Sequence, residues 1–269
     1  MFMKSRILYE DNNIIVVHKP AGIATQTARV GQRDMVSEVK GYLVCKEQET
    51  ALQQAKRNGL QTPYVGLIHR LDQPVEGILV FAKDKQSAAA LSRQIADDGM
   101  EKYYYAVVCG QDFPDKGELA DYLVKDGKTN TSRIVPKEVK GAKLAKLSYE
   151  ILDRQPAESP NEGKKQIALA KIHLQTGRHH QIRVQMRGAG MSLLGDYKYA
   201  DEETVGLSER MKIKEIALCA YRLEFEHPGS RRKLQFQIMP EGKSFSMFSF
   251  IKDEKIAMQE SADRPLFFE

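Results

Sequence analysis

The chain has 269 residues, 42% hydrophobic and 29% charged, which is typical of a globular protein with a substantial core. Its 41 basic and 36 acidic residues leave a net charge of +5, which mildly favours a polyanionic partner. No run of about 18 apolar residues occurs, and the opening MFMKSRILYEDNN has no apolar segment of signal-peptide length. We therefore expect a cytoplasmic protein without a membrane partner.

The first half of the chain predicts a hairpin followed by two helices. Strand-like residues 7–9 and 14–17 flank an Asn-rich turn. Residues 35–58 have the composition of a solvent-facing helix. A second helix is predicted where apolar residues recur at helical spacing over 88–95, with Gly99 as its stop.

The second half is richer in strands. Residues 102–108 and 167–174 are β-branched or aromatic and predict strands, and 215–225 and 233–239 predict a late strand pair. Residues 111–165 alternate short strand-like pieces with Lys- and Gly-rich loops, which are candidates for substrate-facing segments.

These elements indicate an α+β fold with a mixed, largely antiparallel sheet flanked by helices and loops. We find no internal repeat, no low-complexity tract and no linker. The sequence therefore predicts one domain over residues 1–250 and a charged, poorly patterned tail over 251–269.

Cysteine and histidine give no metal or disulfide signal. Cys45, Cys109 and Cys219 are far apart and odd in number, which indicates reduced thiols. His179 and His180 are adjacent, and adjacent side chains point apart on either a strand or a helix. Metal motifs usually place ligands one helical turn apart, so no metal is expected here.

Asp72 is a lone carboxylate between two apolar runs. Leu71 precedes it, and residues 78–82 form an almost unbroken apolar run after Gly77. An unpaired buried carboxylate costs several kcal/mol, so Asp72 needs partners. Arg70 shares its face on an extended chain, and two interpretations stay open: a surface ion pair, or a catalytic carboxylate on a turn.

A second polar cluster follows the strand that ends at Leu174. A helix is predicted from about His179 to Gly190, with Arg178 at its entrance and Arg183 beside its apolar stripe. A helix N-terminus with arginines nearby is suited to phosphate, although a solvated basic face explains the pattern equally well. The planar donors of Arg178 and His180 favour recognition of phosphate or base edges.

Other catalytic signals are absent. Gly127-Lys128-Thr129 ends like a phosphate-binding loop, but Tyr122 occupies the position of the required earlier glycine. The sequence contains no Gly-x-Ser-x-Gly and no Gly-x-Gly-x-x-Gly after a strand. No nucleotide, flavin or metal cofactor is therefore expected.

The chain resembles the RluA family of RNA pseudouridine synthases. His69-Arg70-Leu71-Asp72, followed by Gly77 and the apolar run, is similar to the catalytic motif of that family. Further similar segments follow the family order from about residue 7 to 240, namely residues 8–22, 102–110, 176–183, 195–199 and 218–228. One such motif is moderately specific, whereas several in order are very hard to obtain by chance.

The resemblance implies roles for individual residues. Asp72 is the expected nucleophile toward a uridine, and Arg183 is expected to pair with it and keep it ionised. Tyr104 is expected to stack on the flipped base and is a candidate base for proton removal. Arg70 is expected to fill the space that the uridine vacates, because the base must leave its stack. Leu218 is expected to form an apolar wall of the pocket.

The resemblance assigns three further residues, Arg178, His180 and Lys19, to the RNA backbone. Target choice is expected to come from loops of the catalytic domain, since no separate S4-type RNA-binding domain is expected. The chain departs from the family pattern where Val75-Glu76 replaces the usual Thr-Ser, and at Gln185 and Cys219, where histidine is common.

The sequence thus predicts an RNA pseudouridine synthase that isomerises uridines of ribosomal or transfer RNA. It is expected to work without a cofactor, as a monomer, and without a DNA partner. A non-catalytic RNA-binding or ribosome-assembly protein on the same fold is the alternative, prompted by Val75-Glu76. A metal-dependent nuclease is disfavoured because the sequence shows no carboxylate cluster.

Overall fold

The computed structural model describes residues 7–29, 31–54, 62–157, 165–251 and 253. The chain divides into two compact units, Met1–Met100 with Glu224–Ile238, and Glu101–Leu223 with Met239–Glu269. A single domain over 1–250 stays a prediction. Most of the predicted tail lies outside the described residues.

The first unit is built on two fully buried strands. Its elements in chain order are β1 (Ile7–Glu10), β2 (Ile14–Lys19), α1 (Met35–Gln54), β3 (Gly66–Leu67), β4 (Glu76–Ala82) and α2 (Lys85–Ala96). β2 pairs antiparallel with β1 on one side and β4 on the other, and β3 pairs antiparallel with β4. Every residue of β2 and β4 is buried, so the apolar runs on either side of the Asn-rich turn and after Gly77 form the core.

The predicted hairpin and both predicted helices of this unit are confirmed. Asp11 sets the hairpin turn, since its Oδ1 accepts from the backbone N–H of Asn13 at 2.8 Å and of Ile14 at 2.9 Å. The last part of the first predicted helix, 55–58, lies outside the described residues. The second helix ends at Ala96, before Gly99, because Asp98 takes the left-handed turn with φ 54°. Aspartate tolerates that conformation better than most residues.

The second unit is a longer antiparallel sheet that carries two helices on short connections. Its elements are β5 (Glu101–Gly110), β6 (Lys116–Asp126), β7 (Thr131–Val135), β8 (Lys143–Pro156), β9 (Gln166–Leu174), α3 (Gln181–Gly188), β10 (Ser192–Leu193), α4 (Glu202–Arg210) and β11 (Leu218–Glu226). The strand order is β11-β5-β9-β8-β6-β7, with β10 on β5. The predicted late strand pair is confirmed, since β11 pairs with β12 (Lys233–Gln237); β12 and the last three residues of β11 belong to the first unit.

Residues 111–157 are far more regular than the sequence indicated. They contain β6, β7 and the whole of the 14-residue strand β8. The prediction of short pieces was wrong because much of β6 and β8 is exposed or half-buried. Lysine and glycine at exposed strand positions look like loop residues in a sequence, although the backbone hydrogen bonds of the sheet continue through them.

Helix α3 is held on this sheet by a small apolar cluster. Val184 of α3 packs with Leu123 of β6 and Ala145 of β8, and Tyr199 packs against them. The cluster fixes which way α3 faces, and so it positions Arg183 on the same helix.

The strands pair mostly antiparallel, as between β1 and β2, β2 and β4, β5 and β9, and β8 and β9, and an isolated bridge between Ala24 and Asp34 is parallel. Together with the helices they confirm the predicted α+β class. Among the helices of the described ranges, none has the length and apolar character needed to cross a membrane.

Candidate active site

Asp72 lies on a tight turn immediately before β4. The turn is closed by the N–H of Val75, which donates to the carbonyl oxygen of Asp72 at 3.0 Å. Asp72 itself is half-buried. On its N-terminal side, Leu71 is buried and shares two hydrogen bonds with Thr25, whose Oγ1 donates to the Leu71 carbonyl at 2.8 Å and accepts from its N–H at 3.1 Å. The carboxylate therefore sits on a braced backbone next to the core.

The loop that follows β2 braces the other side of the turn. The N–H of Gly22 donates to the carbonyl of Gln73 at 2.9 Å, and Gln73 Nε2 donates to the carbonyl of Gly22 at 3.1 Å. Gly22 has φ 86°, in the left-handed region where glycine carries no Cβ penalty. This explains why the Lys19-Pro20-Ala21-Gly22 segment accompanies the Asp72 motif.

Lys19 is a fully buried ammonium group at the end of β2. Its Nζ donates to the carbonyls of Pro20 at 3.0 Å, Ile23 at 2.7 Å and Gln73 at 3.1 Å. Burial lowers the pKa of Lys19 to about 8, against the opposing influence of the Asp72 and Glu76 carboxylates, which raise it. These contacts fit a positioning role on the Asp72 turn better than the RNA backbone contact that the sequence predicted.

The Val75-Glu76 dipeptide faces the interior. Val75 is 2% exposed and Glu76 is 6% exposed. The Glu76 Oε2 lies 3.9 Å from Nε2 of His18 on β2, and both side chains are buried. The departure from the family pattern therefore changes the charge and packing beneath the turn instead of adding an outward-facing group.

Arg70 is exposed, and it forms no ion pair with Asp72 in the part of the chain that the structure describes. The simpler interpretation of the Arg-x-Asp spacing, a local surface ion pair, therefore finds no support among the salt bridges of the described residues. An exposed guanidinium two residues before the turn is compatible with the RNA contact that the resemblance implies.

Arg183 lies on α3 and is 7% exposed. Its Nε and Nη2 donate to the two carboxylate oxygens of Asp196, at 2.8 and 2.7 Å, which is a bidentate pair. Its guanidinium carbon also lies 4.9 Å from the ring centre of Tyr199. The Asp196 Oδ1 further accepts from the N–H groups of Lys198 and Tyr199, so the carboxylate that orients Arg183 is itself held by the backbone.

The sequence predicted that the side chains of His179 and His180 point apart, and this prediction was wrong. Their rings stack at 3.7 Å between centroids, because His180 has φ 55° and is neither strand nor helix. His179 Nδ1 shares a hydrogen bond of 2.8 Å with Ser132 Oγ, and His180 Nδ1 shares one of 2.6 Å with the Tyr199 hydroxyl. The pair belongs to a hydrogen-bond network, and no cluster of three potential metal ligands occurs among the described residues.

The remaining predicted residues occupy strands or the helix entrance. Tyr104 is 7% exposed in β5, where it is paired with Ile172, and Leu218 is 4% exposed at the start of β11. Arg178 is exposed, and its Nε donates to the Leu144 carbonyl at 2.8 Å. Buried Tyr104 and Leu218 are compatible with pocket walls, and Arg178 with an outward-facing donor.

The predicted site residues fall into the two units. Asp72, Arg70 and Lys19 belong to the first unit, and the five others, Tyr104, Arg178, His180, Arg183 and Leu218, belong to the second. Tyr199 connects His180 with Arg183 inside the second unit. The pairing of Arg183 with Asp72 stays a prediction.

Sequence reasoning assigned no role to Asp196, Tyr199 or Ser132. Asp196 and Tyr199 fall in the 195–199 segment that carries part of the resemblance. The resemblance did not indicate what either side chain contacts. Ser132 had no signal at all, because its contact with His179 depends on the register of β7.

Comparison with known proteins finds a matching family model and several similar proteins. Residues 13–187 match the family model described as RNA pseudouridylate synthase. The chain is 32% identical over 237 residues to "Ribosomal large subunit pseudouridine synthase D" of Neisseria meningitidis, covering 86% of this chain and 57% of that protein. It is 30% identical over 237 residues to "tRNA pseudouridine synthase C" of Haemophilus ducreyi, covering 86% and 89%. It spans 67% and 64% of the length of two Bacillus subtilis relatives.

A similar fold is found among solved structures. The structure titled "Human RNA Pseudouridylate Synthase Domain Containing 4" matches with a TM-score of 0.63 at 21% identity, covering 87% of this chain and 88% of that one. At this identity the match concerns the fold alone.

Proposed function

Because the chain belongs to the RNA pseudouridylate synthase family, whose members are isomerases acting on uridines in RNA, we propose that it isomerises particular uridines with Asp72 as the nucleophile. The observation that carries this assignment is the Asp72 turn, which Thr25, Gly22 and Lys19 hold through hydrogen bonds. A half-buried carboxylate with a fixed backbone can be held in attack geometry, which is what a nucleophile needs.

The target uridine has to leave its stack before the carboxylate can reach the sugar. The C1′–N1 bond then breaks, either through attack of Asp72 on C1′ or through loss of the base to a glycal-like intermediate. The uracil turns and a C1′–C5 bond forms. In the first route the Asp72–C1′ bond breaks at this step, and in the second route the proton lost from C2′ on forming the glycal returns. C5 then loses its proton and N1 carries one. Substrate and product are isomers, so the net reaction consumes no oxidant or reductant, and no cofactor is proposed.

The other site residues take the roles that the resemblance implies. Arg183 is the proposed charge partner of Asp72, and Tyr104 the proposed stacking partner of the base and acceptor of the C5 proton. Leu218 is the proposed apolar wall. Support comes from their placement: Arg183 is oriented by Asp196, while Tyr104 and Leu218 are buried in strands.

Arg70, Arg178 and His180 are the proposed RNA contacts. Arg70 and Arg178 are exposed and His180 is half-buried, so all three present surface to a ligand. Lys19 takes the role of a positioning residue, since its three carbonyl acceptors already surround its ammonium group.

Ribosomal or transfer RNA is the proposed target, with the protein acting as a monomer in the cytoplasm. The relatives named for the large ribosomal subunit and for tRNA support this choice of RNA. The exposed arginines near the motif turn and the helix entrance support a polyanionic substrate. No DNA partner is proposed.

Transcriptome-wide mapping of pseudouridine, in cells with and without this gene, tests the function. We expect one or a few positions in ribosomal or transfer RNA to lose the modification completely and to regain it when the purified protein is added to that RNA. RNA that binds the protein in a salt-dependent manner, with no position modified in any cellular RNA, would instead establish the non-catalytic alternative.

A further inference from the structure

The net positive charge of the chain is concentrated in one short segment. Residues 125–146, here called the basic arm, contain 7 of the 41 basic residues and 2 of the 36 acidic residues. The rest of the chain has 34 residues of each sign, so the whole net charge of +5 resides in these 22 positions. The basic arm comprises the last residues of β6, all of β7, the first residues of β8 and the loops between them.

All seven cations of the basic arm point to solvent. Each is exposed, and the salt bridges found among the described residues include none of them: Lys125, Lys128, Arg133, Lys137, Lys140, Lys143 and Lys146. Cations that stabilise a fold usually form salt bridges with nearby carboxylates, and none of these seven does, although Arg133 interacts electrostatically with Asp126. A cluster of like charges costs stability through repulsion unless a polyanion is bound.

The charges lie on both faces of the arm. Lys143 is directly opposite Leu123 in the strand register, and Lys125 is two residues beyond Leu123, so both share the face that packs toward α3. Arg133 is opposite Val124, one position along, and therefore lies on the other face. A flat protein surface can meet only one face, whereas phosphates of a folded RNA can flank both.

The arm is fixed to the segment that follows β10, and it also contacts α3, the helix that carries Arg183. The N–H of Ser132 donates to the Tyr199 hydroxyl at 2.8 Å, and Lys198 Nζ donates to the Asn130 carbonyl at 2.9 Å. Ile134 Cδ1 of β7 also lies 2.6 Å from where a Cβ at Gly188 would be, so β7 and the end of α3 are in close contact. RNA held by the arm is thereby placed relative to α3.

We propose that the basic arm docks the phosphate backbone of folded RNA on both of its faces, independently of base sequence. This inference rests on the proposed function in taking RNA as the substrate, and it adds the element that grips the RNA. The alternative partner for such a surface, an acidic protein, becomes an outcome of the test.

The test compares two triple variants of the full-length protein with equal charge. One is Lys137→Gln, Lys140→Gln and Lys143→Gln in the arm. The control is Lys85→Gln, Lys214→Gln and Lys233→Gln, which removes three exposed lysines elsewhere. Binding to an RNA stem-loop is measured over a range of salt concentrations, with a polyglutamate competitor in a second series.

For the arm variant we expect about a tenfold or greater loss of affinity near physiological salt. The slope of log K against log salt concentration should become shallower by about 2 to 3, because each lost phosphate contact removes about 0.7 to 0.9 from it. The control is expected to bind like the unmodified protein. Equal losses in both variants, or no loss in the arm variant, would overturn the proposal. Polyglutamate that competes as well as RNA would overturn the choice of RNA.

The assay also separates this inference from the function. An arm variant with unchanged affinity and KM, in a protein that isomerises uridine, refutes the arm alone. A protein that binds RNA through the arm but forms no pseudouridine refutes the proposed function alone.

Discussion

At the scale of single residues, the candidate nucleophile depends on a buried amine. Lys19 has no exposed surface, and its three hydrogen bonds connect β2, the loop after it and the Asp72 turn. A protonated amine has three N–H groups for these three carbonyls, whereas a neutral amine has two. Deprotonation of Lys19 therefore removes one of these hydrogen bonds, close to Asp72, the proposed nucleophile.

The first prediction concerns pH. Because the pKa of Lys19 is about 8, we expect kcat/KM to fall as the pH rises through that value. Glu76→Gln removes a carboxylate that raises this pKa, so the fall should move to lower pH. The measurement is kcat/KM against pH, with Glu202→Gln, an exposed carboxylate on α4, as the control. If the fall of kcat/KM in Glu76→Gln occurs at the same pH or at a higher pH, the role given to Lys19 is contradicted.

Unfolding caused by deprotonation of Lys19 does not explain the fall of kcat/KM at alkaline pH. The pKa of Lys19 is lower in the folded protein than the ordinary 10.5, so the unfolded chain binds more protons between about pH 8 and 10.5. The contribution of this group to the free energy of unfolding therefore rises with pH across that window. A fall in activity there, with unfolding midpoints unchanged or higher, identifies a local effect on the turn.

At the scale of elements, α3 and the segment after β10 form one electrostatic unit. Arg183 and Asp196 are 8% and 1% exposed in their side chains, and the pair is bidentate. Removing one member of a buried ion pair costs far more than removing one member of an exposed pair, because the remaining charge has lost its compensation. Asp196 thus acts on the site through Arg183.

The second prediction is that Asp196→Asn lowers the free energy of unfolding by about 3 to 5 kcal/mol. Glu150→Gln is the matched control, since it breaks the exposed Lys116–Glu150 pair and should cost less than about 1 kcal/mol. Urea denaturation of both variants measures the difference. Equal small losses in the two variants would show that the Arg183–Asp196 pair does not hold α3.

The elements that could be predicted are those with apolar periodicity. The hairpin of β1 and β2, the strands β5 and β9 and the helices α2 and α3 follow their sequence patterns, because burial on one face leaves a periodic trace. β6 and β8 were missed as long strands, because their exposed lysines interrupt that trace. The stacked pair of His179 and His180 was missed because a single left-handed residue, His180, has no signature in sequence.

At the scale of the whole molecule, the candidate site could be predicted only through family resemblance. The sequence pattern showed that Asp72 is a lone carboxylate between two apolar runs. Arg183 and Tyr104 lie more than thirty positions away, and no local pattern connects them with Asp72. Contacts such as Arg183–Asp196 depend on how α3 packs on β6 and β8, which a sequence alone does not reveal. The basic arm, unlike these contacts, can be found from the sequence alone by adding the charges segment by segment.

The most direct test of the account replaces Asp72 by asparagine in cells that lack the native gene. Asp72→Asn keeps the size of the side chain and removes the nucleophilic carboxylate, so we expect no pseudouridine at the target positions, with near-native unfolding and RNA affinity. Asp112→Asn, an exposed carboxylate in the second unit, is the control and should restore the modification. Pseudouridine at unchanged levels with Asp72→Asn would contradict the assignment of Asp72 as the nucleophile.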